Sequence, residues 1–595
     1  MRKIVQKINN TWTIVKSSHP IFTAVLMILF CAMLLVLTLA GVLTLIDKNI
    51  KYADALKTIF TYHTGTSGAN NPDNAVFTVR LIAIISGTLL FSGTIISIMT
   101  TFIRNYITNR DGAKGRLRLS NHLLVLCYNK EVPAILADLM YNPSHKTVLL
   151  LSDVKKQQVF DELSATVAAL DEKPKYKINL IVRQGNPSSL SELKDVGVEH
   201  ARAILIMNNN TSVGSELCGA DYLGCLDLVL KLGNFKLRPN VPIGVETSTE
   251  EASDIMRSLH KDILGLSDKQ IQFFAHDKKI GQFMALAVSN PDLCNVLLEL
   301  LSYRGCEFYP IDTVSREEYL QNHCAGIPTA VFSGKMYCVA DDEAAARRKR
   351  AHPYKTERRL QASKTGLIRR PLTLFVIGKN RKFKYLIDAL KMTHPDTVIK
   401  LFKTDDIHNF VDTVVKQGDC DSVAVVLSDD TVAPKSYDAN VFWTIIELSR
   451  VTSINERPFK IFAEIIDPKN QKSLENLNIQ NFVVSTQVVS TFSNKLLNDA
   501  NSVYFYEDLL TPAGLFDIDV SRADEIFDIT EAQVFSSYAE FVHAGYFGTR
   551  EADTAIMPFG IYTDEKNYIL FCAELDKKRS FVVKPADKII YASIQ

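Results

Sequence analysis

The stretch KYADALKTIFTYHTGTSGANNPDNAVFTVRLIAIISGTLLFSGTIISIMTTFIRNYITNR, residues 51–110, decides how the chain is read. It contains an uncharged run of 23 residues from Leu81 to Ile103. A helix needs about 20 apolar residues to cross a hydrocarbon core. Ahead of that run, Tyr52 to Tyr62 carries Ala53, Ala55, Leu56, Ile59 and Phe60 at helical spacing, a half-helix with its carbonyl end at His63. Thr64, Gly65, Thr66, Ser67, Gly68, Ala69, Asn70 and Asn71 follow, offering hydroxyl, amide and backbone oxygens and two glycines for tight turns. A short apolar helix, a polar loop and a spanning helix make the order of a re-entrant pore segment. Irregular backbone survives at membrane depth only where it lines water or is buried in protein. The carbonyl end of a half-helix favours a cation, and rings of such oxygens form selectivity filters. These residues therefore predict an ion pathway with 64–71 as its filter and Gly87 and Gly93 as hinges of a gate. A solvated hairpin between two anchors is the alternative reading of the loop.

Upstream, Ile21 to Ile46 is a 26-residue run without a charge, longer than the roughly 7–15 residues of a signal-peptide core. It reads as a first spanning helix. Two spans place both ends on one side. Arg2, Lys3, Lys7 and Lys16 precede the first, and Arg104, Arg110, Lys114, Arg116 and Arg118 follow the second against Asp111 alone. Positive flanks face the cytoplasm. The expectation is a multi-pass protein of the lipid bilayer with both termini cytoplasmic: an N-terminus over 1–19, a pore domain over 20–110 and a large cytosolic part beyond.

Composition supports this division. A chain of 595 residues exceeds the roughly 250–300 over which one core grows. With 67 Lys and Arg against 66 Asp and Glu, no nucleic-acid partner is signalled. The ten cysteines include no C-x-x-C pair and read as reduced, mostly buried thiols in a reducing compartment.

From His122 the texture changes. HLLVLC (122–127), TVLLLS (147–152), KINLIV (177–182), RAILIM (202–207), VPIGVE (241–246) and QIQFFAHD (270–277) are near-continuous apolar strands separated by helix-length stretches, which implies a parallel sheet covered on both faces. One long helix is expected over Lys278 to Leu301, then a mixed segment from Cys306 to about Ala340. Residues 347–370 carry ten Lys and Arg against Glu357 alone and read as a solvated basic linker. Beyond it the pattern restarts with LTLFVIG (372–378), TVIKLF (397–402), SVAVVLS (422–428), FKIFAEI (459–465) and NFVVST (481–486), then a helix and a tail ending in KIIYAS (588–593). The second copy is shorter, with its third strand–helix unit compressed between Phe402 and Cys420. The fold class is thus a membrane α-helical pore module, two spanning helices plus a re-entrant loop, followed by two α/β Rossmann-like modules over 111–346 and 371–595.

A doubly wound sheet binds dinucleotide at its first strand-to-helix turn, where G-x-G-x-x-G lets pyrophosphate meet backbone amides. Here those positions read Cys127, Asn129 and Val132, and Gly378, Asn380 and Phe383. Five of six glycines are missing, and no H-E-x-x-H or G-K-[ST] motif is present, so an enzyme, including a membrane-tethered oxidoreductase, is not expected. Asp153 stands where a ribose-binding acid would. The other candidate ligands are strand-end carboxylates: Glu246 and Glu464 on equivalent strands, Asp277 after a strand, and Asp429 and Asp430 after SVAVVLS. A hard cation such as calcium needs several converging oxygens; Glu246, Asp277 and Glu464 are the metal candidates.

Ser67-Gly68 in the polar loop, Arg80 leading into LIAIISGTLLFSG, HLLVLCYN, RQGNPSSLSELKDVGVEHARAILIMNNN (183–210), HDKKIGQFMALAVSNPDL (276–293) and SDD (428–430) together carry a resemblance. The chain resembles ion channels with regulator-of-potassium-conductance (RCK) domains, and more narrowly the CASTOR/POLLUX family of plant symbiosis channels and their bacterial relatives. The resemblance implies a homotetramer with one central pore for permeant cations and a ring of eight regulatory modules gated by a cytosolic ligand. Calcium is the family candidate, and a nucleotide on the modules is the other. The family's filter carries an acidic residue just before Ser-Gly, where this chain has Thr66, and Ala69-Asn70-Asn71 also departs. Potassium, sodium and calcium therefore stay open as the permeant ion. Plant members have additional membrane helices upstream, so the resemblance points to a bacterial plasma-membrane version. A membrane-anchored nucleotide or ion sensor without conduction is the second hypothesis.

Overall fold

A computed structural model describes residues 33–34, 36–47, 49–63, 81, 116–142, 146–170, 172–208, 223–247, 249–264, 270–312, 315–363, 371–378, 380–429, 436–451, 458–479, 481–497, 502–511, 516–551, 555–564, 567–573, 575 and 577–594. Filter residues 64–71, hinge glycines Gly87 and Gly93, Asp430 and most of both apolar runs lie outside them. Among the described residues, no helix is long and apolar enough to cross a membrane. The chain divides into two compact bodies, Met1–Ser120 with Asn179–Gly197, and Asn121–Ile178 with Val198–Gln595.

In the first body, the expected half-helix is a helix from Tyr52 to His63. Its Ala55 and Ile59 bury against Val36, Ala40 and Leu43 of the preceding helical segment, and the Tyr52 hydroxyl donates to the Leu37 carbonyl at 3.2 Å. The same body holds the strand Asn179–Gln184 and the helix Leu190–Asp195. Arg183 pairs with Asp195 at 3.2 Å and Glu192 at 3.9 Å. Gly185 leaves space for the Glu192 carboxylate, which would have to swing aside to admit a Cβ there. The Leu117 amide donates to the Asp195 carbonyl at 2.6 Å. The end of the helix after RQGNP therefore holds the chain at Leu117.

The second body contains both repeats. Thr147–Ser152, Leu123–Leu126, Ala203–Ile206, Ile243–Thr247 and Ile271–Ala275 lie side by side in that order, all parallel. Almost every residue in them is buried, as near-continuous apolar runs require when helices cover both faces. The second repeat orders Val398–Phe402, Thr373–Ile377, Ser422–Val426, Lys460–Ile465 and Phe482–Val484 in the same way. It does not compress the third unit; it omits it. The helix Ile407–Gln417 leads directly to Ser422–Val426, and no strand corresponds to Asn179–Gln184 among the described residues. Val398–Phe402 is consequently a sheet edge, with Val398 and Leu401 53% and 56% exposed.

The long helix expected over 278–301 is two helices, His276–Ser289 and Pro291–Leu301. Pro291 has no N–H to continue the ladder and pushes the preceding residue out of helical space; Asn290 sits at φ −136° and ψ 92°. The first of the pair crosses onto the second repeat. It packs against Lys382–Thr393 so closely that a Cβ on Gly281 would lie 2.6 Å from Tyr385 Cβ and 2.8 Å from the Lys382 carbonyl oxygen. The reciprocal helix, Ser485–Leu496, packs on Val132–Leu139 of the first repeat, where Asn494 Nδ2 donates to Asp138 Oδ2 at 2.9 Å. Each repeat thus lends one helix to the other's first helix.

Each repeat also carries an antiparallel lobe, Glu307–Asp312 with Lys335–Ala340 and Ile327–Phe332 in the first, and a four-stranded sheet between Phe516 and Ile594 in the second. Two sequence expectations change here. Cys306 and Cys572, 266 residues apart, form a disulfide between the lobes; local Cys spacing could not show a pairing made by tertiary docking. The linker is not solvated throughout either. Leu360 is buried, its amide donates to the Ala544 carbonyl, and Arg358 stacks over Phe535 at 3.9 Å. A guanidinium can stack on an aromatic face and keep its charge, which a charge count does not reveal.

Gly281→Ala is expected to destabilise the second body by about 1–3 kcal/mol, the usual cost of overpacking a close contact. A urea-unfolding midpoint unchanged from the parent would show that the helix pair is looser than described.

Candidate functional site

In a doubly wound sheet the strand order reverses beside the first strand, and ligand groups collect at the carboxyl ends there. Both repeats place the same constellation at that point. In the first, Asn129 follows the first strand, and its Nδ2 donates to Glu246 Oε2 at 2.8 Å and to the Asn208 carbonyl at 3.1 Å. The Asn208 amide donates to the same Glu246 oxygen at 3.0 Å. In the second, Asn380 Nδ2 donates to Glu464 Oε2 at 3.1 Å and to the Ser428 carbonyl at 3.0 Å, while the Ser428 amide donates to Glu464 at 3.0 Å. Glu246 and Glu464 are both fully buried.

The turn keeps its backbone without its glycines. Gly378 has φ +84°, and a Cβ there would lie 2.8 Å from the Leu427 carbonyl oxygen. Cys127 holds φ +70° in the equivalent place, a conformation costing a side-chain-bearing residue roughly 1–2 kcal/mol. Burial, with Asp153 and Glu246 nearby, pushes its thiol up to about 12, so it is not a nucleophile.

The two corners differ in what balances the carboxylate. Glu464 receives Lys382 Nζ at 2.6 Å and the hydroxyls of Ser428 and Ser485. Burial alone would raise its pKa, but Lys382 and these hydroxyls outweigh it and hold the carboxyl below the ordinary value. In the first corner, His276 stands between two acids, Nδ1 3.2 Å from Glu246 and Nε2 3.0 Å from Asp277. Burial opposes its charge, yet Asp277 and Glu246 raise it to about 10. Asp277 is held at about 2 by His276, Arg381 and Lys382 against the effect of burial. Arg381, on the second repeat, reaches Asp277 Oδ2 at 3.4 Å. A ladder of alternating charge, Glu246–His276–Asp277–Arg381, therefore leads from the first corner to the residue beside Lys382 and Glu464. Where Lys382 fills the second corner, the first has Glu131, buried at the helix N-cap with its carboxyl pushed up by burial.

Of the residues singled out by sequence, Glu246 and Asp277 belong to one connected cluster and Glu464 to its counterpart. Asp153 is exposed near Cys127, and Asp429 is half-buried with its amide on the Tyr437 carbonyl, apart from Glu464. Among the described residues, no group of three or more His, Cys, Asp or Glu stands in metal-holding geometry. His276, Arg381 and Lys382 were not singled out. The available signal was the asparagine shared by both repeats at the second glycine position, Asn129 and Asn380.

The doubly wound sheets with their antiparallel lobes have the fold of RCK-type domains. The human SLO3 gating ring superposes with a TM-score of 0.52 at 12% identity, covering 80% of this chain and 99% of that one. A GsuK channel bound to NAD aligns over 96% of this chain and 97% of its own at 12% identity, with a TM-score of 0.45. No family model matches the chain. Its curated homologues, at low identity, are ion channels of the CASTOR, POLLUX and DMI1 group. The chain is 22% identical over 331 residues to ion channel DMI1 of Medicago truncatula, covering 54% of this chain and 36% of that protein. It is 24% identical over 333 residues to the probable ion channel CASTOR of Oryza sativa subsp. japonica, covering 53% and 35%. Over 280 residues it is 25% identical to ion channel CASTOR of Lotus japonicus, covering 44% and 30%. The matches thus span about a third of these relatives' length. The relatives are channels and not enzymes, in line with the missing glycines.

Two outcomes are expected at this site. Lys382→Met, which leaves Glu464 buried without its cation, should cost about 3–5 kcal/mol in urea unfolding, and adding Glu464→Gln should recover much of that loss. His276 has a folded pKa of about 10 against an ordinary 6.5. Its contribution is fully present below the ordinary value and fades as pH rises through the higher one. Unfolding curves recorded across that window should show a falling midpoint in the parent and a flatter one in His276→Gln.

Proposed function

We propose that the chain is a subunit of a ligand-gated cation channel, a homotetramer in which a two-span pore over 20–110 is controlled by a cytosolic ring of eight modules, two from each chain over 111–346 and 371–595. The observation that carries this is the charge ladder joining the two corners across reciprocally exchanged helices. The ion-channel homologues support it. A ligand can shift such an assembly only by its differential affinity for two states, and the ladder offers two ways to do so. Calcium would compete with His276 and Arg381 for Glu246 and Asp277. The phosphates of a nucleotide would compete with the same carboxylates for Arg381 and Lys382. Either breaks the alternation between the modules. In this reading Thr64 to Asn71 line the filter, Gly87 and Gly93 bend the second span, and the ring's movement reaches the membrane through the segment ending at Leu117. The membrane is the bacterial plasma membrane, with both termini cytoplasmic.

Recording from the purified full-length chain in planar bilayers tests this. Unitary cation currents whose open probability changes with calcium or NAD are expected. Gly68→Ala should abolish the current while leaving any ligand-induced rise in melting temperature intact. A chain that binds either ligand but never conducts would be a membrane-anchored sensor, and the channel reading would be wrong.

A further inference from the structure

We infer that the second body holds a separate small-molecule site, away from both corners, for an aromatic zwitterion of the amino-acid type. A cavity of about 480 Å³ opens where the first repeat's sheet meets its antiparallel lobe and the helices Ser485–Leu496 and Ser502–Leu510 of the second repeat. That volume suits a small organic ligand. Its floor is built from Tyr303, Tyr337, Tyr506, Lys495 and Glu307. Lys495, 4% exposed, is ion-paired with Glu307 and lies over the Tyr303 ring at 4.1 Å. Tyr506, 3% exposed as a residue, lines the same cavity.

The charges decide the guest. Lys175 and Arg202 stand on the exposed rim, facing a cavity that also exposes Asp341, Asp342 and Glu343. Asp342 spends one oxygen capping a helix and Glu343 pairs with Arg347, which leaves Asp341 as the free rim acid. With Glu307, four carboxylates stand against three cations. A nucleotide's phosphates would be repelled by that many acids. A bare divalent ion would find no converging ligand set among the described residues. A ligand with one carboxylate and one ammonium group satisfies both halves of the rim, and an aromatic ring on it would lie among the tyrosines, whose faces also attract the ammonium. Bound there, it would tie the first repeat's lobe to the second repeat's helices, whether or not the chain conducts.

Isothermal titration of the full chain in detergent, with L-phenylalanine as the probe, tests the assignment. Saturable binding is expected. N-acetyl-L-phenylalanine, lacking the ammonium, and phenethylamine, lacking the carboxylate, should each bind at least roughly tenfold more weakly, as loss of one charged contact implies. Tyr506→Phe keeps the ring and should weaken L-phenylalanine roughly three- to tenfold, the worth of one hydrogen bond, with an unchanged melting temperature. Lys175→Ala on the exposed rim should also weaken it. The inference is overturned if L-phenylalanine does not bind, if AMP or a single-charge analogue binds as tightly, or if both variants bind like the parent.

Discussion

The carboxylate at the end of the fourth strand of each unit of the large body is the constraint on which the rest depends. Glu246 and Glu464 are taken out of water completely, and burying a carboxylate is costly unless hydrogen bonds and an opposite charge compensate it. Each gathers an asparagine side chain from the first turn and a backbone amide from the next strand, which fixes the gap between those strands. Each then requires a cation. The second repeat supplies it locally, as Lys382. In the first, His276 lies between Glu246 and Asp277, and Asp277 meets Arg381 of the other repeat. One unmet charge is thus resolved only by the neighbouring module, and the two copies become electrostatically interdependent.

Helix exchange makes that dependence mechanical. His276 and Asp277 begin the helix that packs against Lys382–Thr393, and Ser485, which donates to Glu464, begins the helix that packs against Val132–Leu139. Each exchanged helix therefore starts at its own corner and rests on its partner's. The two corners are thus joined by packed helices, with the absent side chain of Gly281 keeping the backbones close.

Much of this was legible in the sequence where periodicity speaks. The parallel strands, their order along the chain and the restart after the basic stretch follow from short apolar runs such as TVLLLS and SVAVVLS, because strands buried on both faces have few other ways to look. Glu246 and Glu464 were visible as acids ending equivalent strands. What could not be read was partnership. Nothing local says that Arg381 meets Asp277 or that Cys306 meets Cys572, since those pairs exist only after lobes far apart in sequence have docked. Pro291 marks the break at Asn290, but apolar spacing continues through it and masks it. The linker misled for a related reason: ten basic residues suggest solvent, whereas the guanidinium groups of Arg358 and Arg359 lie over aromatic rings.

The strand–helix unit from Asn179 to Asp195 has no equivalent in the second repeat among the described residues. It is also the unit whose last carbonyl catches Leu117. The chain arriving at Leu117 therefore has a fixed point of attachment in this unit, and the second repeat has none of that form among the described residues.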